Sequence, residues 1–258
     1  MAKSYSSFYI FRFALIMVVI VATGLSLGFA VLKPYQDENR RIEKIQYILR
    51  AAGIPAEKKD AAAAYDQHLI AEMILDPLTG EPTSVYLSDG GFEVGNERAF
   101  DLDMKKLLAA QKLFREGKSQ VNPGVPLFLM QGDAGDTLYI IPVRGRGLWG
   151  PIWGNIAVGS DRNTITGATF DHQGETPGLG AEINQPFFQD AFIGKKLLDE
   201  NGEFASVRVV KGGVASLPEE RHIHSVDAIS GGTITSDGVT EMLHDCLKYY
   251  EPFFKKAQ

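Results

Sequence analysis

A short run of glycines and hydroxyl residues stands ahead of the last helical pattern in this 258-residue chain. It reads DAISGGTITS and spans residues 227–236. Two glycines permit a tight turn and the close approach of a ligand. Because the run opens onto a helix N-terminus, free N–H groups and the positive end of the helix dipole favour an anion there. The segment therefore predicts a phosphate site with threonine hydroxyls at hand. Spacing alone slightly favours the alternative, a capping turn rich in Ser and Thr that binds no ligand.

The rest of the sequence contains no competing centre of chemistry. The single cysteine, Cys246, excludes a disulfide framework and a Cys-rich metal site. The five histidines lack metal-ligand spacing such as HExxH. A formal net charge of −6 argues against a nucleic-acid partner, which requires a basic surface. No GxGxxG opens a βαβ unit, so a dinucleotide site is not expected. We predict neither a metal site nor a catalytic residue in this chain.

The N-terminus has the pattern of a membrane anchor. Residues 13–32 (FALIMVVIVATGLSLGFAVL) carry no charge. At about 1.5 Å rise per residue, this run spans the roughly 30 Å hydrocarbon core of a bilayer. The alternative is a cleaved signal peptide, whose apolar region is shorter. We predict a short cytoplasmic tail over 1–12, one retained transmembrane helix over 13–32, and an exported domain beyond it.

The elements that must position the glycine run fall into two parts of one soluble domain. Residues 33–125 are predicted to be a membrane-proximal helical part. Pro34 should end the membrane helix, and residues 76–80 have turn chemistry. Further helices are predicted over three stretches: 38–52, 58–73 and 104–116.

From residue 126 to 258 the pattern changes to strands and one closing helix. The predicted strands are 127–130, 137–143, 152–158, 164–170, 207–210 and 223–229. The last helix has apolar residues at helical spacing: Val239, Met242, Leu243, Cys246, Leu247 and Tyr250. Ser236 or Asp237 is its expected N-cap. Helices first, strands later and one closing helix indicate an α+β fold. We therefore predict one N-terminal transmembrane helix and a single domain with a mixed or antiparallel sheet and flanking helices.

Residues 227–233 resemble the motif Asp-x-x-Ser/Thr-Gly-Ala-Thr, at which a flavin transferase attaches FMN through its phosphate to a threonine hydroxyl. In this sequence Gly232 replaces the usual Ala, and Ala228 replaces a frequent Gly. The resemblance implies that Thr233 is the acceptor and that Asp227 is recognised by the transferase. The residues of the segment that it assigns to the cofactor site are Ser230, Gly231, Gly232, Thr233 and Thr235.

Two further segments resemble the same FMN-binding domain, namely GRGLWGPIWGNIAV at 145–158 and HQGETPGLG at 172–180. An isoalloxazine ring needs apolar walls and a few polar groups at its edge. The implied contacts are Leu148, Trp149 and Leu179 for the walls, Glu175, Thr176 and the backbone around Gly178 and Gly180 for the edge, and Lys211 for a flavin carbonyl or the phosphate. The alternatives are a core position for Trp149, a hydrogen-bonded loop pair for His172 and Glu175, and a solvated surface position for Lys211.

The N-terminal half is similar to the C-subunit of the Na+-translocating NADH:quinone reductases. The similarity lies in the membrane span, then LKPYQDEN at 32–39 and ILRAAGI at 48–54. It implies an electron-transfer subunit of a bacterial inner-membrane sodium pump, with covalent FMN in a periplasmic domain. The implied partners are other membrane subunits of the complex, a flavin transferase and membrane lipid. No complete activity is expected from the isolated chain.

Two other functions remain open at this point. One is the G-type subunit of an Rnf ferredoxin:NAD reductase, which has the same flavin chemistry in a different complex. The other is an unmodified, membrane-tethered interaction module in which the glycine turn only caps a helix.

Overall fold

The chain divides into two compact units, Met1–Lys44 and Ile45–Gln258. The computed structural model describes residues 6–256. Helix α1 (Ser7–Ala51) contains the apolar run, and its last turns belong to the second unit. Within the described residues, this is the one helix long and apolar enough to cross a membrane. Its most apolar stretch has a mean hydropathy of 2.6 and is not buried in the protein, as expected for side chains that face lipid.

The prediction that Pro34 ends the first helix is wrong. Helix α1 continues through Pro34 to Ala51, so the stretch 38–52 is not a separate helix. A proline removes one N–H donor and crowds the preceding turn, but a long helix can continue when the residues beyond the proline favour it. Arg41 donates to Glu38 at 3.2 Å, one turn earlier, and such i,i+3 pairs support the helix past the proline.

The second unit is built on a seven-stranded antiparallel sheet. Its strands are β1 (Leu69–Leu75), β2 (Pro82–Leu87), β3 (Phe92–Val94), β4 (Val125–Gln131), β5 (Thr137–Arg146), β6 (Pro151–Val158) and β7 (Ile165–His172). Their order in the sheet is β3-β2-β1-β4-β5-β6-β7. Two short strands, β8 (Arg208–Val210) and β9 (Ser225–Asp227), form a separate parallel pair.

The remaining helices complete an α+β fold. They are α2 (Ala61–His68), α3 (Met104–Arg115), α4 (Pro186–Gln189), α5 (Glu219–His222), α6 (Thr233–Leu247) and α7 (Glu251–Lys255). The predicted fold class is thereby confirmed.

The predicted order of helices first and strands later is wrong, because β1, β2 and β3 all lie before residue 125. In place of the helix over 58–73, α2 ends at His68 and β1 begins at Leu69. Strand β1 is central in the sheet, where it pairs with β2 on one side and with β4 on the other. These pairings across the chain override the local helical pattern, since strand formation depends strongly on tertiary context.

The closing helix carries the predicted apolar face. All six predicted periodic residues are buried: Val239, Met242, Leu243, Cys246 and Leu247 in α6, and Tyr250 in the 3-10 turn directly after it. The predicted N-cap at Ser236 or Asp237 is wrong, because α6 begins earlier, at Thr233, with Gly232 as N-cap. The strand predicted over 223–229 is shortened to Ser225–Asp227. The other predicted strands and α3 are confirmed, with no end displaced by more than three residues.

Candidate functional site

Thr233 is the first residue of α6, directly after the glycine turn. Gly231 has a φ of +74°, a left-handed conformation that glycine adopts without a Cβ penalty. The N-cap residue Gly232 offers no side chain, and no side-chain cap bonds to the helix start. The first-turn N–H groups therefore have no side-chain acceptor, and the positive end of the helix dipole lies at Thr233. Thr233 is only partly buried, so a second molecule can approach it.

A buried carboxylate joins the segments around this helix start. Glu175 is 4% exposed. One of its oxygens accepts from the Thr235 hydroxyl at 2.6 Å, and the other accepts from the Trp149 backbone N–H at 2.9 Å. It thereby links the loop after β7, the β5–β6 turn and the first turn of α6. Both carboxylate oxygens are thus engaged inside the protein.

The hydrogen bonds to Glu175 determine its ionisation. Burial raises the pKa of the carboxyl, but the Thr235 hydroxyl and the backbone N–H groups of Trp149, Gly150 and Leu148 stabilise the anion and outweigh burial. The net result is a pKa below the usual value for glutamate. The site therefore contains a fixed negative charge at neutral pH.

Glycines allow α6 to pack very close to the β5–β6 turn. A Cβ on Gly238, in the helix, would collide with the Arg146 carbonyl oxygen. A Cβ on Gly145, in β5, would lie 2.6 Å from the Met242 Cβ. These close approaches fix the start of α6 against the turn that carries Leu148 and Trp149.

Four large apolar side chains are exposed around the start of α6. We call this set the apolar rim: Leu148 (45% exposed), Trp149 (68%), Leu179 (41%) and Ile234 (56%). Leu179 covers the glycine turn, since a Cβ on Gly231 would lie 2.5 Å from its Cδ2. A group of exposed apolar side chains often marks a binding site, whereas single exposed apolar residues are normal on a protein surface. The apolar rim therefore offers an apolar surface to a planar ligand.

The loop that carries Leu179 is folded by local bonds. The Thr176 carbonyl accepts from the N–H groups of Leu179 and Ala181, both at 3.1 Å, and Thr176 itself is exposed. Gly180 is buried, and a Cβ there would collide with the Thr235 hydroxyl. The structure thus brings together most of the predicted cofactor residues around Thr233.

The remaining predicted residues lie on the parallel strand pair and in the turn. Asp227 is the exposed last residue of β9, and its carboxylate accepts from the Val214 N–H at 2.6 Å. Lys211 is exposed directly after β8, whose last residue pairs with Asp227. Across residues 6–256, no hydrogen bond or ion pair joins Lys211 to the glycine turn. Ser230 is exposed within the turn itself.

Two features of the site were not predicted from the sequence. Ile234 lies off the buried face of α6, and an apolar residue at that position was the available signal. The contact of Tyr47 with Asp171 joins residues 124 positions apart, and no sequence signal indicated it. The hydrogen-bonded loop pair of His172 and Glu175, the alternative that the sequence left open, is present: the Glu175 backbone N–H donates to His172 Nδ1 at 3.1 Å. In the described part of the chain, no group of three or more His, Cys, Asp or Glu residues could hold a metal ion.

Residues 147–248 match the family model of the FMN-binding domain, and they contain the β5–β6 turn, the loop after β7 and α6. Fold and site therefore define an FMN-binding domain. The C-subunit of the Na(+)-translocating NADH-quinone reductase from Vibrio vulnificus is 35% identical to this chain, covering 88% of it and 83% of the relative. The protein of the same name from Neisseria meningitidis is 36% identical, covering 88% and 82%. The chain belongs to the family of Na(+)-translocating NADH-quinone reductase C-subunits.

Solved structures agree with this assignment. A crystal structure of the same C-subunit from Parabacteroides distasonis superposes with a TM-score of 0.71 at 38% identity, covering 86% of this chain and 96% of that one. The crystal structure of NqrC from Shewanella oneidensis gives a TM-score of 0.65 at 26% identity, covering 85% and 98%.

The residues present fit FMN in three respects. The uncapped start of α6 offers N–H donors to a phosphate. The apolar rim offers walls for a ring. Thr233, the hydroxyl residue at the helix start, is partly exposed. The family match and this fit both support FMN as the cofactor of the domain.

Proposed function

We propose that this chain is an electron-transfer subunit of a Na+-translocating NADH:quinone reductase, with FMN esterified through its phosphate to Thr233. The observation that carries the proposal is the position of Thr233. It is the first residue of a helix that has no side-chain cap, next to the exposed Ile234 and two residues after Gly231, which the exposed Leu179 covers. Membership of the C-subunit family supports the same function and disfavours the G-type Rnf subunit.

The residues of the site have distinct roles in this proposal. The first-turn N–H groups of α6 hold the phosphate, and the helix dipole stabilises its charge by about 0.3–1 kcal/mol. The apolar rim contacts the ring, while Thr176 and the backbone near Gly180 face its edge. Lys211, on the neighbouring strand end, is available to a flavin carbonyl or to the phosphate. When bound, the flavin supplies the redox chemistry, and the protein supplies position and electrostatics.

Thr233 acts as an acceptor and not as a catalytic nucleophile. On attachment the Thr233 oxygen forms a bond to the phosphorus of a flavin nucleotide activated as a phosphoanhydride, the P–O bond to the leaving phosphate group breaks, and the hydroxyl proton leaves to a base of the flavin transferase. Asp227 is the residue that the transferase recognises, and its exposed position on β9 is compatible with that role. Covalent attachment removes dissociation of the cofactor, so that the domain only has to present the ring to its partners.

The complex is proposed to lie in a bacterial inner membrane. The apolar part of α1 spans it once, in contact with lipid, and the domain faces the periplasm. The other membrane subunits of the reductase are the electron donor and acceptor partners. The isolated chain therefore carries out no complete reaction.

The test is the variant Thr233→Ala, produced in the native host and examined for flavin fluorescence on a denaturing gel. Only a covalently bound flavin survives denaturation, so we expect a fluorescent wild-type band and a dark variant band. The matched control is Thr166→Ala, which removes an exposed threonine hydroxyl of β7 outside the 227–233 motif and should remain fluorescent. Both variants should fold normally, since a surface hydroxyl contributes little to stability.

Fluorescence of Thr233→Ala after denaturation would show that another residue is the acceptor. A dark wild-type band from the native host would instead favour the unmodified interaction module.

A further inference from the structure

We propose that Tyr47 and Asp171 are positioning residues of the flavin site. A continuous path of hydrogen bonds runs from the last turns of α1 through Asp171 and His172 to Glu175. The Glu175 carboxylate in turn binds the β5–β6 turn and the first turn of α6, which begins at Thr233. This inference rests on the proposed function for its effect on the flavin, whereas its structural part stands independently.

The path begins where α1 meets the edge of the sheet. The Tyr47 hydroxyl donates to Oδ2 of Asp171, in β7. The Tyr47 backbone carbonyl accepts from the Thr169 hydroxyl at 3.4 Å. Side chain and backbone of the same helical residue are therefore both attached to β7, the last strand of the sheet.

The path continues into the loop that follows β7. Oδ1 of Asp171 accepts from the His172 N–H at 2.7 Å. His172 Nδ1 accepts from the Glu175 N–H at 3.1 Å, which requires this nitrogen to be unprotonated. The Glu175 carboxylate then accepts from the Thr235 hydroxyl and the Trp149 N–H. Each step is a direct bond between protein groups, without an intervening gap.

The loop needs this support because the sheet does not supply it. After Gln173, whose N–H donates to the Pro151 carbonyl at 3.1 Å, the chain leaves the strand pairing. The next backbone-to-backbone bonds of the loop are internal to it and begin at Thr176. Between these two points, side chains fix its direction. Among the residues that lead into this loop, Asp171 is the last whose side chain bonds to another element. That bond comes from the Tyr47 hydroxyl, which fixes the orientation of the Asp171 carboxylate.

Displacement of this loop would alter the flavin environment in two ways. Leu179, at the far end of the loop, belongs to the apolar rim and covers Gly231. Glu175 carries the fixed negative charge of the site. A flavin potential depends on the charges and contacts near the ring, so a shift of either residue changes it even when the covalent bond is intact.

The test is Tyr47→Phe in the full-length chain, which removes only one hydroxyl. The matched control is Tyr65→Phe, where the lost hydroxyl donates to Glu72 at 3.2 Å, on the β1 side of the sheet. Two quantities are measured for both variants: amide hydrogen exchange over residues 172–180 and the midpoint potential of the attached flavin. Asp171→Asn serves as a second variant at the other end of the same bond.

We expect Tyr47→Phe to retain one flavin per chain, to raise hydrogen exchange over 172–180 about fivefold, as for the loss of one ordinary hydrogen bond, and to shift the flavin potential. Tyr65→Phe should leave both quantities unchanged. Wild-type exchange and wild-type potential in Tyr47→Phe would overturn the proposal, as would equal shifts in the two variants. If the wild-type chain carries no flavin, the proposed function fails, and hydrogen exchange on the flavin-free chain still decides whether Tyr47 holds the loop.

Discussion

Removal of the Glu175 carboxylate should lower the stability of the domain by an amount that can be estimated from its hydrogen bonds. In Glu175→Ala, the buried Thr235 hydroxyl loses the acceptor that lies 2.6 Å away, and the Trp149 N–H loses one at 2.9 Å. A hydrogen bond to a charged group contributes about 1.5–3 kcal/mol, largely as the cost of leaving its partner unsatisfied. Because Trp149 is exposed, water can replace its lost acceptor at little cost. We therefore expect a loss of about 2–3 kcal/mol, most of it from Thr235.

Thermal unfolding of the flavin-free chain in detergent, followed by near-ultraviolet circular dichroism, measures this loss. For a domain of this size, about 2–4 °C of Tm corresponds to each kcal/mol, so Tm should fall by about 4–12 °C. Glu200→Ala is the matched control, since Glu200 is exposed, and its Tm should stay within about 2 °C of wild type. Equal Tm values for the two variants would refute the role assigned to Glu175.

The pH dependence of stability gives an independent check on the same residue. The pKa of Glu175 is lowered in the folded protein, so its contribution is fully present above the unfolded value of about 4.3. It is lost as the pH falls through the lower folded value. In Glu175→Gln, the decrease of stability below about pH 4 should be smaller than in wild type. A parallel pair of stability curves would contradict this assignment.

Three further predictions concern other parts of the domain. Gly231→Ala places a Cβ on a residue in the left-handed conformation, 2.5 Å from the Leu179 Cδ2. It should lower the free energy of unfolding by at least about 1–2 kcal/mol and reduce the yield of attached flavin. A wild-type Tm with full flavin content would contradict this prediction. Arg98→Ala removes the cation paired with the fully buried Glu72 carboxylate, and chemical denaturation should show a loss of about 3–5 kcal/mol, whereas a loss under 1 kcal/mol would count against it. Burial raises the pKa of the Cys246 thiol to about 11, so iodoacetamide should label this residue only after unfolding; rapid labelling of the native chain would disprove its inert character.

Local patterns in the sequence are sufficient to predict much of the second half of the fold. The apolar spacing of α6 predicts its buried face, because one helix face meets one sheet and the helical period is visible in a single segment. Strands β4 to β7 follow one another along the chain in neighbouring positions of the sheet, so each has its partner close in sequence. Their turns contain the Gly and Asp residues that such turns require.

The first half of the fold depends on information that no local window contains. The local pattern predicts helix where β1 lies. One of the two partner strands of β1, β4, comes some 55 positions further along the chain, so a local pattern does not contain it. Pro34 predicts a helix end, but its effect depends on how strongly the following residues favour helix. The predicted start of α6 is too late because Gly232, which has no side chain, is a weaker capping signal than Ser236.

The sequence predicts candidate residues of the site but not the connections between them. The glycine run and the apolar residues Leu148, Trp149 and Leu179 are proposed from motif resemblance. The role of Glu175 as a bridge is not, since its partners Trp149 and Thr235 lie 26 and 60 positions away. Hydrogen bonds of this kind become visible only when the fold has brought distant segments together.

The most direct test of flavin attachment at Thr233 is the intact mass of the native chain, purified from its own host under denaturing conditions. We predict a mass greater than that of the polypeptide by one FMN less one water, with the added mass located on the peptide that contains Thr233. A chain with the mass of its amino acids alone, or with the added mass on another peptide, would contradict the proposed attachment.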